Sequence, residues 1–230
     1  MKKILVLLAA MLFAAGFGLP AQSIFFPSKV GTVLTYANGD AKGNAQSYSM
    51  LTIKDVKGAS SNMTITYAGI SLDRNRKPLK NSAVEQTFKV VIKDDVVIMD
   101  LNQMIPPEMK QQGVKLTVKG TPLELPSSLK PGQLLKPYNL IITMDLGMMK
   151  MDSAIKAEGK CLAIEDVKVP AGTFKCHKIT QKITSTAMNT TTVTNASTWY
   201  APNVGTVKTE TYDDKGKLTS TNALVELRSK

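Results

Sequence analysis

The segment DVKVPAGTFKCHKI, Asp166 to Ile179, places Cys176 beside His177, the one histidine of the chain. A thiol next to an imidazole is the pairing of a cysteine nucleophile with its general base, provided the two side chains can meet. The flanking residues argue against it. Val167, Val169, Phe174 and Ile179 are strand formers, and consecutive strand residues point to opposite faces, so the dyad dissolves if KCHKI is a strand. His177 is then expected to face solvent. A Ser-His-Asp triad would also need His177, and no serine stands in a G-x-S-x-G elbow. One histidine and two cysteines, with neither C-x-x-C nor H-x-x-x-H spacing, cannot close a metal site. Glu165-Asp166 reads as turn solvation. The residue types point to a protein that is not an enzyme and that needs no cofactor.

VPAGTF is better explained as a turn. Pro170 presets φ, Gly172 permits positive φ, and β formers flank both. With Val169 opposite Phe174, Cys176 falls opposite Val167, and Cys161 lies six residues further along its strand, roughly 20 Å away. A disulfide needs Cα atoms within about 7 Å. Against this, two cysteines in an exported chain usually pair, and a wider loop from Glu165 to Gly172 would bring them together. The local register favours free thiols, and the alternative stays open.

The elements that must carry these residues are strands. Met63, Ile65 and Tyr67 alternate with threonines; Phe88, Val90 and Ile92 alternate with Lys89, Val91 and Lys93; Leu140, Ile142, Met144 and Leu146 follow the same period. Turn-forming stretches separate them: ANGDAKG, KGAS, DRNRKP and DDKGK. Asp40-Ala41-Lys42-Gly43 and Asp213-Asp214-Lys215-Gly216 share a D-x-K-G form, which reads as one hairpin turn used twice. The exception is MDLNQMIPPEMKQQ, 99 to 112, where Pro106-Pro107 interrupts a short helical or irregular stretch suited to a lid.

The N-terminus has the layout of a secretory leader: Lys2-Lys3, an apolar run, and small residues at Ala21 and Ser23. This predicts a leader over 1–23, a single β domain over 24–230, and a mature N-terminus at Gln22 or Ile24. No cysteine near that boundary offers a lipid attachment point, and no later run is long enough for a membrane helix. An exported chain without a lipid anchor or transmembrane anchor, periplasmic or secreted, is expected. The formal net charge of +11 suits solubility, or contact with anionic lipid head groups or acidic glycans; an exported protein rarely meets nucleic acid.

Methionines gather in one quarter of the chain, at 99, 104, 109, 144, 148, 149 and 151. Flexible thioethers suit either an ordinary core or a surface that adapts to lipid tails. The candidate ligand-binding residues are Leu140, Ile142, Met144 and Met148 on the sheet, with Met104 and Met109 on the covering stretch. The Thr-rich run 184 to 199 fits an exposed strand face ending inward at Trp199.

FPSKVGTVLTY, DAKG, LELPSSLKPGQLL, VPAGTFKC, WYAPNVGTVKTE and DDKGKLTS together resemble the TapB-like family of bacterial envelope proteins, from Phe25 to Arg228. Where an acidic residue is expected soon after LL, this chain has Lys136-Pro137. The resemblance implies an exported, strongly bent antiparallel sheet akin to the LolA and LolB half-barrels, and supplies no function. The expected fold is all-β: one curved antiparallel sheet of about ten strands, a half-barrel. The expected function is a non-catalytic binding or carrier module of the bacterial envelope for an apolar or lipidic ligand, with a structural or protein-interaction module as the alternative.

Overall fold

The computed structural model describes residues 24–59, 61–79, 85–99, 115–145, 147 and 149–229. Among these no helix occurs, and thirteen strands are found. They are β1 (Val33–Asp40), β2 (Ala45–Ala59), β3 (Asn62–Leu72), β4 (Gln86–Lys93), β5 (Val96–Met99), β6 (Lys115–Gly120) and β7 (Glu124–Pro126). The chain continues through β8 (Tyr138–Asp145), β9 (Lys150–Val169), β10 (Gly172–Ala187), β11 (Thr190–Ala201), β12 (Gly205–Tyr212) and β13 (Leu218–Arg228). The excess over about ten strands comes from β5, β6 and β7, which are 4, 6 and 3 residues long. The expected lid over 99 to 112 lies outside the described residues beyond Met99.

All thirteen strands belong to one antiparallel sheet, in the order β6-β8-β9-β10-β11-β12-β13-β1-β2-β3-β4-β5-β7. Most neighbours are consecutive hairpins, as the closely spaced turns require, and the terminal strands β1 and β13 pair in the middle of the sheet. The two edges, β6 and β7, follow one another in sequence, joined by Thr121–Leu123. That link touches both sides: Thr121 N–H donates to the Asn139 carbonyl on β8, and the Leu123 carbonyl accepts from Met99 N–H on β5. The sheet therefore curls until its edges share a short connection, yet β6 and β7 do not pair, and it remains open. Register shifts within β1–β13, β2–β3, β9–β10, β11–β12 and β12–β13 add the local twist such curvature needs.

The alternation in the sequence becomes burial. On β4, Val90 and Ile92 are buried while Lys89, Val91 and Lys93 are exposed. A core runs along the sheet through Ile53, Ile65, Val90, Ile92, Val97, Cys161 and Ile179, and the segment Ile24–Phe26 lies on it fully covered. Burying each such side chain stabilises by about 1.5–3 kcal/mol. A second cluster gathers Leu34, Val169, Cys176, Trp199, Val207 and Leu224, and a third Tyr138, Leu140 and Ala157.

Among the described residues the turn adopted by the two D-x-K-G stretches occurs three times, the third at Asp73 to Arg76. In each, an aspartate carboxylate accepts from the backbone N–H groups two and four residues on: Asp40 from Lys42 and Asn44, Asp73 from Asn75 and Lys77, Asp213 from Lys215 and Lys217. The fourth position takes a left-handed φ, of 81° at Gly43 and 78° at Gly216. In the third copy Arg76 holds it at 60°, with its guanidinium 4.7 Å above the Tyr48 ring. Without a glycine, that copy leaves no sequence echo.

Candidate functional site

Cys176 and His177 are neighbours on β10 and face apart. Cys176 is fully buried in the second cluster, its thiol directed at the Phe174 carbonyl 3.4 Å away. Burial, with the nearby Asp166 and Glu165 carboxylates, pushes that thiol up to about 11, far from the reactive thiolate range. His177 is not the solvent-facing residue expected from the strand period. Its ring is half-buried, edge-on to Phe25 at 4.8 Å between centroids and hydrogen-bonded to the Leu129 carbonyl, while its Nδ1 is buried with no partner among the described residues. Burial, and then the charge of Lys175, lowers its pKa against the Leu129 hydrogen bond. The covering residues come from distant parts of the chain, which the local period cannot foresee.

Both cysteines are free. The hairpin is tighter than the sequence suggested: Gly172 opposes Val169, Phe174 opposes Val167, and Cys176 opposes Glu165. Cys161 then lies four residues along β9, about 13 Å away and beyond disulfide reach. No cluster of metal-ligating side chains occurs among the described residues. Glu165, expected to solvate a turn, instead accepts the Trp199 Nε1–H at 2.6 Å. Lys178 and Lys208 stand opposite Trp199 on the two neighbouring strands and place Nζ 4.8 and 5.1 Å from its ring centroid. Lys208 also pairs with Glu210 at 2.6 Å. Because Trp199 is itself buried, this ladder ties four strands together and offers no open site.

The methionine face does form a concavity. Ile142 and Met144 on β8, Met151, Ser153 and Ile155 on β9, and the β10–β11 hairpin from Ser185 to Thr192 line a groove of about 380 Å³. Register builds it: Met144 opposes Met151, Ile142 opposes Ser153, and Ala187 opposes Ser153 from the other side. The floor is thioether and hydrocarbon, the rim is Ser and Thr hydroxyl, and none of the described lining residues is charged. Leu140 sits deeper, packed with Tyr138 and Ala157 in the third core cluster. Met104, Met109 and Met148 lie outside the described residues. Met151 and Ile155 are the additions; both lie on the alternating row Met151, Ser153, Ile155, Ala157, a period visible in MDSAIKA.

A second concavity, of about 330 Å³, lies between Phe25-Phe26-Pro27 and the central strands, with Tyr36, Tyr67 and Tyr200 in its wall. The two share no lining residue. Sequence reading missed it because its walls come from both ends of the chain.

An open antiparallel sheet of thirteen strands defines a class of all-β modules, and comparison gives the family. The sequence pattern of the DUF3108-like family matches residues 29–224. The chain belongs to the DUF3108-like family. The match supports this family in place of the TapB-like one, and the fold likeness that accompanies it is to an exported protein with a YmcC-like fold, with none to LolA or LolB shown. A solved structure from Bacteroides fragilis, provisionally described as an exported protein with a YmcC-like fold, is 19% identical with a TM-score of 0.69, covering 90% of this chain and 100% of that one. A second, from Parabacteroides distasonis and provisionally described as a lipoprotein, is 23% identical with a TM-score of 0.70, covering 90% and 99%. At these identities the likeness is one of fold. No curated protein matches the sequence. The expectation of a chain without a lipid anchor is overturned by these relatives, since the same fold serves in a chain described as a lipoprotein. That expectation rested on residues 1–23, which lie outside the described residues.

Proposed function

We propose that the chain is an exported, non-catalytic module of the bacterial envelope that binds an apolar or lipidic ligand in the groove between β8 and the β10–β11 hairpin. The observation that carries this reading is the groove itself: about 380 Å³ lined by Ile142, Met144, Met151 and Ile155, with hydroxyls and no charge around them. Unbranched thioethers adapt to acyl chains of varied shape, and a concave apolar surface with a few polar rim groups is the usual form of a small-molecule site. Description of a relative as exported and of another as a lipoprotein supports an envelope setting. The separation of Cys176 from His177, and the raised thiol pKa, support a non-catalytic role.

The test is uptake of Nile red. Wild-type protein takes up the dye with a rise in emission, and a long-chain fatty acid displaces it. Met144→Trp fills the groove and abolishes the part of the uptake that fatty acid displaces, with the melting curve unchanged. If Met144 were instead dry core, the same change would overpack it and cost about 1–3 kcal/mol; that outcome, or uptake unaffected by the tryptophan, sinks the proposal.

A further inference from the structure

We propose that the concavity beneath Phe25 and Phe26 is a second site, for a neutral, ring-bearing apolar molecule that carries a hydrogen-bond donor. This does not rest on the groove reading, because the two concavities share no residue.

Three observations specify the occupant. First, none of the described residues lining the cavity is Asp, Glu, Lys, Arg or His. A charged molecule would leave water for a wall with no counter-ion, which is costly, whereas a neutral one loses little. Burial, and then the neighbouring Tyr138, pushes the Tyr200 phenol in that wall up to about 12. Second, the wall carries five aromatic rings, those of Phe25, Phe26, Tyr36, Tyr67 and Tyr200. Phe26 meets Tyr67 at 5.4 Å and Phe25 meets Tyr200 at 6.1 Å between centroids, so a flat ring entering the space finds ring faces and edges to pack against. Third, the polar groups are unequally satisfied. The Tyr36 hydroxyl donates to the Thr206 carbonyl at 3.0 Å, and the Thr209 hydroxyl bonds that of Thr198 at 3.3 Å. Asn222 donates through Nδ2 to Asn38 Oδ1 at 2.7 Å, and among the described residues its own carbonyl oxygen accepts nothing. The Tyr36 and Thr209 hydroxyl oxygens keep lone pairs as well, but the Asn222 amide carbonyl is the stronger acceptor the cavity offers, and a donor on the ligand bonds to it.

The site is tested by equilibrium dialysis of the folded protein near neutral pH against α-naphthol, naphthalene and α-naphthoate. These share one ring system and differ in donor and charge. The expected order is naphthol first, naphthalene roughly threefold to tenfold weaker for want of the hydrogen bond, and naphthoate unbound. Asn222→Leu erases the preference for naphthol over naphthalene, and Met144→Trp leaves it intact. The proposal is overturned if no probe binds, if naphthoate binds as well as naphthol, if naphthol and naphthalene bind alike in the wild type, or if the preference survives in Asn222→Leu. Loss of naphthol binding in Met144→Trp also overturns it, since the ligand would then be in the groove. Should Asn222→Leu fail to fold, the wild-type order decides alone.

Discussion

His177→Ala tests the packing of the segment that first resembled a catalytic dyad. Removing the imidazole deletes its edge contact with Phe25, a type worth about 0.5–1.5 kcal/mol beyond area burial. It also leaves the Leu129 carbonyl without its donor, a net loss of about 0.5–1.5 kcal/mol. Some of this is offset because the unpartnered Nδ1 no longer has to be kept from water. The expected cost is about 1–2 kcal/mol in urea unfolding above neutral pH, followed by the emission of the one tryptophan, Trp199. The pH dependence carries a sign. Burial foremost lowers the folded pKa of His177, so as pH falls past the ordinary value of about 6.5 the unfolded chain binds more protons than the folded one. The stability that depends on the neutral imidazole is therefore complete above that pH and declines below it, through the window down to the lowered folded value. Since the chain has one histidine, His177→Ala should flatten the slope between about pH 7.5 and 5.5. A cost under about 0.5 kcal/mol, the usual surface value, or a slope that persists in the variant, refutes the packing described.

Further outcomes follow from the backbone. A Cβ at Gly120 would overlap the Asn139 carbonyl oxygen, at a φ of +132°, so Gly120→Ala should cost more than about 2 kcal/mol and loosen β6 from β8. Gly172 has φ +140° with nothing nearer than 3.6 Å, so Gly172→Ala should cost only about 1 kcal/mol in the same urea titration. Arg76→Gly relieves a left-handed φ worth about 1–2 kcal/mol and gives up a cation–π contact with Tyr48 worth about 0.5–1. A net gain of about 0.5–1 kcal/mol is expected in the melting curve, and a net loss would mean that the contact outweighs the strain.

What could be seen in the sequence was local. Period-two rows such as Phe88, Val90 and Ile92 foretold strands because one buried face is all such a row requires, and Gly43 and Gly216 marked two copies of a turn whose third copy hides behind Arg76. The VPAGTF hairpin was recognisable, but its register was not: placing Val169 opposite Gly172 leaves only Pro170-Ala171 between them, a tighter turn than the residue types demanded. Ile142 and Met144 could be named as a face from alternation alone. Their partners Met151 and Ile155 depend on where β9 slides against β8, and the depth of Leu140 depends on Tyr138 and Ala157 closing over it. The Trp199 ladder needs four strands in register, and the burial of His177 needs Phe25 and Leu129, contacts that local periodicity cannot carry.

The groove as a ligand site is tested most directly by native mass spectrometry of the protein purified from its own envelope. The account predicts a population carrying an apolar molecule, present in the wild type and lost in Met144→Trp at unchanged stability. A wild-type spectrum of bare protein alone, or a bound mass retained equally in the tryptophan variant, contradicts it.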